Sequence, residues 1–113
     1  MQKTIVIGDK NIEMEANGAT AFRFKKIFAP LDLFKQFVTA PETPDEVAAQ
    51  MEVSQMLAFV MAKQAEGVDM NKLNEDKFIE WLEQFDGADL LEVLDEVVDV
   101  WQSSKKTTSK PKK

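Results

Sequence analysis

The chain begins with two short segments in which apolar and polar residues alternate. Ile5 and Ile7 precede a turn-rich stretch at residues 8–11, and Ile12 and Met14 follow it. An apolar residue at every second position is typical of a half-buried β-strand, and the turn residues between the segments indicate a hairpin. Because an isolated hairpin is marginally stable in water, we expect this apolar face to pack on helices or on the sheet of another subunit.

After residue 18 the apolar period changes from two to about 3.6, which is typical of helices. Ala21, Phe24 and Phe28, with Ile27 beside them, predict a short helix that ends near Pro30. A second short helix before Pro41 is predicted from apolar residues that share one side: Leu31, Phe34, Phe37 and Val38.

A strong helix start follows at residues 43–46. Thr43 is a predicted N-cap, Pro44 occupies the first helical position, and Glu46 completes a capping box. The helix is expected to run to about Ala65, and its middle, residues 56–62, is apolar on every side. A helix of that kind is normally surrounded by the rest of the protein.

Two further helices are predicted in the C-terminal half. Gly67 is expected to end the third helix, and Asn74 is expected to cap the fourth. The fourth helix has a broad apolar face: Phe78, Ile79, Trp81, Leu82 and Phe85. A break at Asp86-Gly87 separates it from a fifth helix with its own apolar face: Leu90, Leu91, Leu94, Val97, Val98 and Trp101.

These elements predict a mainly α fold with an N-terminal β-hairpin, of the α+β class, with about five helices in one small domain. A chain of 113 residues with 44% apolar residues suffices for one modest core. We expect a hairpin at 1–17, a helical domain at 18–102 and a disordered basic tail at 103–113, which has no apolar residue except Pro111.

Composition argues against catalysis. The chain has no cysteine and no histidine, so thiolate and imidazole nucleophiles, bases and zinc ligands are excluded. No glycine-rich phosphate loop or serine elbow is present. We predict a protein without enzymatic activity, cofactor or metal site. Neither a signal peptide nor a membrane span is indicated, so we expect a cytoplasmic protein.

Charge is distributed unevenly along the chain. Residues 1–104 hold all twenty acidic and nine of the fourteen basic residues, a net charge of −11, whereas residues 105–113 hold five lysines and no acid. An acidic body repels phosphate, so affinity for nucleic acid is expected only from the tail. A small nucleic-acid-binding regulator that acts through this tail is therefore the alternative function.

Residues 19–37 hold five of the eight phenylalanines together with basic residues. Three interpretations are open: a core with solvated bases, a docking strip for a protein, and a surface that stacks on nucleic acid. Phe24 and Phe28 lie one helical turn apart on one apolar stripe, which favours the core. Phe22 lies off the stripe and is the best candidate for an exposed or interfacial aromatic residue.

Two acidic segments are candidates for metal binding. Residues 69–80 have the length of an EF-hand loop, but Leu73 and Asn74 stand where an oxygen ligand and a glycine are needed, which favours a linker with a helix cap. The second segment is one helical face: Glu92, Asp95, Glu96 and Asp99. A solvated face, a docking surface for a basic partner and a site for the chain's own basic tail are all open for it.

Methionines are prominent in the third helix and the loop after it: Met51, Met56, Met61 and Met70. Methionine fills irregular cores, and it also lines grooves that accept varied apolar helices. Both roles are open here.

The chain resembles a known family along nearly its whole length. The hairpin, "NGATAFRFKKIFAPLDLFKQF", "LAFVMAKQA" and "KFIEWLEQFDGADLLEVLDEVVDVW" resemble the tail assembly chaperones of long-tailed (siphovirus-type) bacteriophages of Gram-positive hosts. The most specific part is Thr20 to Lys25 with Phe28 and Asp32, similar to a family segment with an Arg-Tyr-Lys core ending in Phe-Gly-x-Asp. Here Phe24 replaces the tyrosine, and residues 29–31 interrupt the glycine step.

The resemblance implies a non-enzymatic protein of the host cytoplasm that coats the tape measure protein, recruits tail tube protein and is absent from the mature virion. We also expect self-association, through the hairpin edge or the phenylalanine-rich strip. Partner binding is predicted for aromatic, methionine and adjacent basic side chains: Phe22, Arg23, Phe24, Phe28, Phe34, Met56, Phe59, Met61, Trp81 and Trp101.

Overall fold

The computed structural model describes the backbone of residues 1–37 and 40–109 and the side chains as far as residue 103. It confirms a mainly helical α+β fold with an N-terminal hairpin. The elements are, in order, β1 (Gln2–Ile7), β2 (Lys10–Glu15), α1 (Thr20–Phe28), α2 (Leu33–Gln36), α3 (Pro44–Glu66), a 3-10 turn (Met70–Lys72), α4 (Glu75–Leu82), α5 (Gly87–Glu92) and α6 (Leu94–Ser109).

The hairpin packs as its alternation predicts. β1 and β2 are antiparallel with Ile5 opposite Ile12, and the two-residue turn places Gly8 at a φ of +65°, which glycine adopts without steric cost. Ile5, Ile7 and Met14 are buried on one face, with Ile12 partly buried beside them. Since β2 packs on α3 and β1 on α6, this chain's own helices cover the apolar face.

α3 is the centre of the core. All its side chains from Leu57 to Ala62 are buried, as expected for a helix that is apolar on every side. The ring of Phe59 lies 6.2 Å from Phe28 and 5.5 Å from Phe78, centroid to centroid. The helix ends at Gly67, whose φ of +75° is the left-handed conformation typical of a C-terminal glycine.

The capping box at the start of α3 is confirmed and leads to a stability prediction. Thr43 Oγ1 accepts a hydrogen bond from the Glu46 amide at 3.1 Å, and Glu46 Oε1 accepts one from the Thr43 amide at 3.3 Å. We expect Thr43→Ala to lower the free energy of unfolding by about 1 kcal/mol, because an N-terminal amide loses its acceptor. Urea denaturation measures this, and Thr43→Ser, which keeps the hydroxyl, should retain most of the stability. Equal losses for both variants would contradict the role of the cap.

A buried amide links the hairpin to the helices. Gln64 of α3 donates from Nε2 to the Glu15 carbonyl at 3.0 Å and to Thr20 Oγ1 at 3.3 Å. One side chain thus contacts the end of β2 and the start of α1. Because a buried donor is costly to leave unpaired, these contacts fix where the hairpin sits on α3.

The prediction for α2 is wrong in one respect. The sequence pattern placed Phe34 on the inner side, but the buried residue is Leu33, and the Phe34 side chain is 54% exposed. Asp32 is the N-cap, since its carboxylate accepts from the Phe34 amide at 2.9 Å, so the helix begins at Leu33 and lasts only one turn. One turn is too short for a 3.6-residue period to define a face. Val38, also placed on that side, lies outside the described residues.

Three further differences concern the C-terminal half. The predicted fifth helix is interrupted at Val93, so the described residues form six α-helices rather than about five. The apolar face of α4 is narrower than predicted, since Ile79 is 52% exposed. The backbone of α6 is helical to Ser109, beyond the expected end of the helical domain at 102, because extending an existing helix needs no new nucleus. Residues 110–113 of the predicted tail lie outside the described part.

Candidate partner-binding site

The ten predicted partner-binding side chains occupy three different environments. Six of them lie in the core, where a partner reaches them only if the fold opens: Phe24, Phe28, Phe59, Met61, Trp81 and Trp101. Arg23 and Met56 are partly buried. Phe22, at 74% exposure, and Phe34 are open to contact. The exposure predicted for Phe22 is confirmed, whereas partner binding by any of the ten stays a prediction.

The structure places a different apolar surface between α3 and α6. We call it the α3–α6 groove, a cleft of about 500 Å³ that combines apolar residues with two aspartates: Phe37, Val47, Met51, Leu94, Val98, Asp95 and Asp99. Val47 is 43% and Met51 38% exposed, although both are apolar. A cleft of this size is within the range of ligand and peptide sites.

Helix geometry explains how these residues come together. Val47 and Met51 are four positions apart on α3, as are Leu94 and Val98 on α6, so each pair lies on one side of its helix. The two helices pack against each other and bring the pairs to opposite walls. The Phe37 ring lies 5.6 Å from Trp101, which fixes it at the edge of the groove.

Two polar side chains on the α3 wall donate their hydrogen bonds within this chain. Ser54 Oγ donates to the Gln50 carbonyl at 2.8 Å, and Gln50 Nε2 donates to the Gln36 carbonyl at 3.3 Å. A ligand in the groove therefore does not need to supply hydrogen-bond acceptors for these two donors. What the wall offers is mainly apolar contact, as expected for a surface that receives an apolar side chain.

The α6 wall of the groove is negatively charged. Asp95 and Asp99 are exposed, four residues apart, and both line the cleft. No basic side chain is among the described lining residues. An occupant with lysine or arginine beside its apolar side chains is therefore complementary to this groove.

Sequence reasoning missed the groove, although a signal was present. Val47 and Met51 stand at helical spacing in the polar first half of α3, away from the apolar run at 56–62. The acidic face was identified, including Asp95 and Asp99, but not its apolar neighbours in space. A second apolar pair outside the core stripe of a helix is the pattern that points to such a surface.

The acidic residues form no evident metal centre. Within residues 1–37 and 40–109, no group of three or more histidine, cysteine, aspartate or glutamate side chains is placed to hold a metal ion. In the EF-hand-like segment, Asp69 instead accepts from the Asn71 amide and Asn74 from the Lys77 amide, each at 2.9 Å. The interpretation of this segment as a linker with a helix cap is confirmed.

Of the helices described, none is both long and apolar enough to cross a membrane. The sequence matches no protein-family model and no curated protein, and the fold matches no solved structure. The α3–α6 groove and the sequence resemblance are therefore the grounds for assigning a function.

Proposed function

We propose that this protein is a non-catalytic phage tail assembly chaperone that holds apolar helical segments of the tape measure protein and recruits tail tube protein to them. The observation that carries the proposal is the α3–α6 groove. It leaves Val47 and Met51 uncovered in a small domain that has already buried a core of its own. An apolar cleft of this kind is suited to covering a helix that would otherwise aggregate.

The groove predicts which helices bind best. Apolar side chains repeating every three or four residues would lie against Val47, Met51 and Val98, and lysine or arginine beside them would face Asp95 and Asp99. Exposed ion pairs contribute only about 0.2–1 kcal/mol each, so most of the affinity comes from apolar contact and the charges select the orientation. Tape measure segments with basic residues beside an apolar stripe are the preferred ligands.

Co-expression with a phage tape measure protein tests the proposal. We expect a soluble complex with the wild-type chain and its loss with Val47→Glu/Met51→Glu, because two carboxylates would enter an apolar and already negative cleft. Ile79→Glu is the matched control, since Ile79 is 52% exposed on α4 and is not among the groove residues. The complex should survive that change.

Two results would overturn the assignment. One is the absence of any complex between the wild-type chain and the tape measure protein, and the other is a complex that the double glutamate variant leaves intact. Self-association, residence in the host cytoplasm and absence from the finished virion belong to the same proposal. They are checked by sedimentation of the purified protein and by probing purified virions for the chain.

A further inference from the structure

A second groove lies at the other end of α3 and has the opposite charge. It occupies about 390 Å³ where the end of α3, the 3-10 turn and α4 meet, and three of its lining residues are lysines: Lys63, Lys72 and Lys77. We call it the lysine groove. Three of the nine basic residues of a body with a net charge of −11 thus line one cleft.

The floor of the lysine groove is apolar and rigid. Trp81 lines it together with Val68 and Leu73. The Trp81 ring is 5.8 Å from Phe59 and 4.9 Å from Phe85, centroid to centroid, and packing on both rings holds its orientation. Because Trp81 is only 5% exposed, its ring supports the floor from beneath, and the half-buried Val68 and Leu73 offer the apolar contact to a ligand.

The lysines are only partly neutralised. Lys63 Nζ lies 3.4 Å from Glu66 Oε1, and Lys77 Nζ lies 3.6 Å from Glu80 Oε1. Lys72 has no carboxylate within 4.0 Å in the described part of the chain. Such exposed pairs are weak and exchange readily, so a ligand carboxylate competes for these ammonium groups.

We propose that the lysine groove binds an acidic amphipathic segment of a partner protein, distinct from the partner in the α3–α6 groove. An apolar side chain of the segment packs on Val68 and Leu73, and its carboxylates pair with Lys63, Lys72 and Lys77. A long polyanion such as nucleic acid fits less well, because Glu80 lines the same cleft and further exposed acids stand close to the lysines in the chain: Glu66, Asp69, Glu75 and Asp76. A short segment places its charges only at the lysines.

The two grooves are far enough apart to be occupied together. Met51 and Lys63 are twelve residues apart in α3, which is about 18 Å along the helix axis. One wall of the first groove is acidic, whereas the second is basic, so a ligand suited to one is repelled by the other. The molecule therefore acts as an adaptor that holds two partners of opposite charge at once.

Two synthetic amphipathic helices test this inference on the full chain by calorimetry. Both have leucine along one face, and the other face is glutamate in one peptide and lysine in the other. We expect the glutamate peptide to bind and Lys72→Glu/Lys77→Glu to weaken it at least about tenfold, since two attractions become repulsions. Lys10→Glu/Lys25→Glu makes the same charge change outside the groove and should alter the dissociation constant less than about twofold.

The outcomes separate this inference from the proposed chaperone function. Val47→Glu/Met51→Glu should leave binding of the glutamate peptide unchanged, even if the tape measure protein proves not to be a partner. Loss of glutamate-peptide binding in that variant would overturn the two-site adaptor. Three results would overturn the lysine groove as an acidic-segment site: equal binding of both peptides to Val47→Glu/Met51→Glu, in which the α3–α6 groove is blocked, equal effects of the two lysine-to-glutamate variants, or tighter Lys72-dependent binding of a DNA oligonucleotide.

Discussion

Phe59→Ala is expected to lower the free energy of unfolding by about 3–5 kcal/mol. Phe59 is fully buried in the middle of α3, where its ring contacts Phe28, Phe78 and Trp81. Truncation removes apolar burial and leaves a cavity that these three aromatic rings, held by other helices, fill only in part. Since a small domain is stable by only about 5–15 kcal/mol, the urea midpoint followed by circular dichroism should fall steeply.

The matched control for Phe59 is the same truncation at Phe22. The Phe22 side chain is 74% exposed on α1, so Phe22→Ala should change stability by less than about 0.5 kcal/mol. Phe59→Leu, which keeps part of the volume, should fall between the two. If Phe22→Ala and Phe59→Ala destabilise equally, the assignment of one ring to the core and the other to the surface fails.

The parts of the fold that the sequence predicts well depend on near neighbours in the chain. Thr43 and Glu46 satisfy each other's amides within one helical turn, and alternation in the first fifteen residues sets which face of the hairpin is apolar. The burial of Phe59 follows from a run that is apolar on every side. Such signals need no knowledge of which distant segment packs on them.

The functional surfaces could not be predicted in this way. Aromatic and methionine side chains line both cores and docking surfaces. Apolar residues at helical spacing led us to predict Phe59 and Trp81 as partner contacts, but the same spacing places both side chains in the core. Whether Val47 and Met51 are covered depends on where α6 crosses α3, more than forty residues later in the chain. The lysine groove likewise joins residues from α3, the following loop and α4.

The second large effect is expected in the hairpin, where Ile5→Ala should cost about 2–5 kcal/mol. Ile5 is fully buried between β1 and the helices, whereas the next residue, Val6, is 54% exposed on the opposite face of the same strand. Val6→Ala should therefore change stability by less than about 1 kcal/mol, mainly through strand propensity. The pair compares truncation to alanine on the two faces of one strand.

Tryptophan fluorescence during urea unfolding is the decisive measurement for this pair, because Trp81 and Trp101 are both buried in the helical part. If the hairpin is integral to the core, Ile5→Ala lowers the fluorescence midpoint although no tryptophan lies near the strand in sequence. The Gln64 amide, which bonds the Glu15 carbonyl and Thr20, makes this coupling the expected result. A fluorescence transition that Ile5→Ala leaves in place, while the strand signal is lost, would mean that the hairpin unfolds separately and that α3 is stable without it.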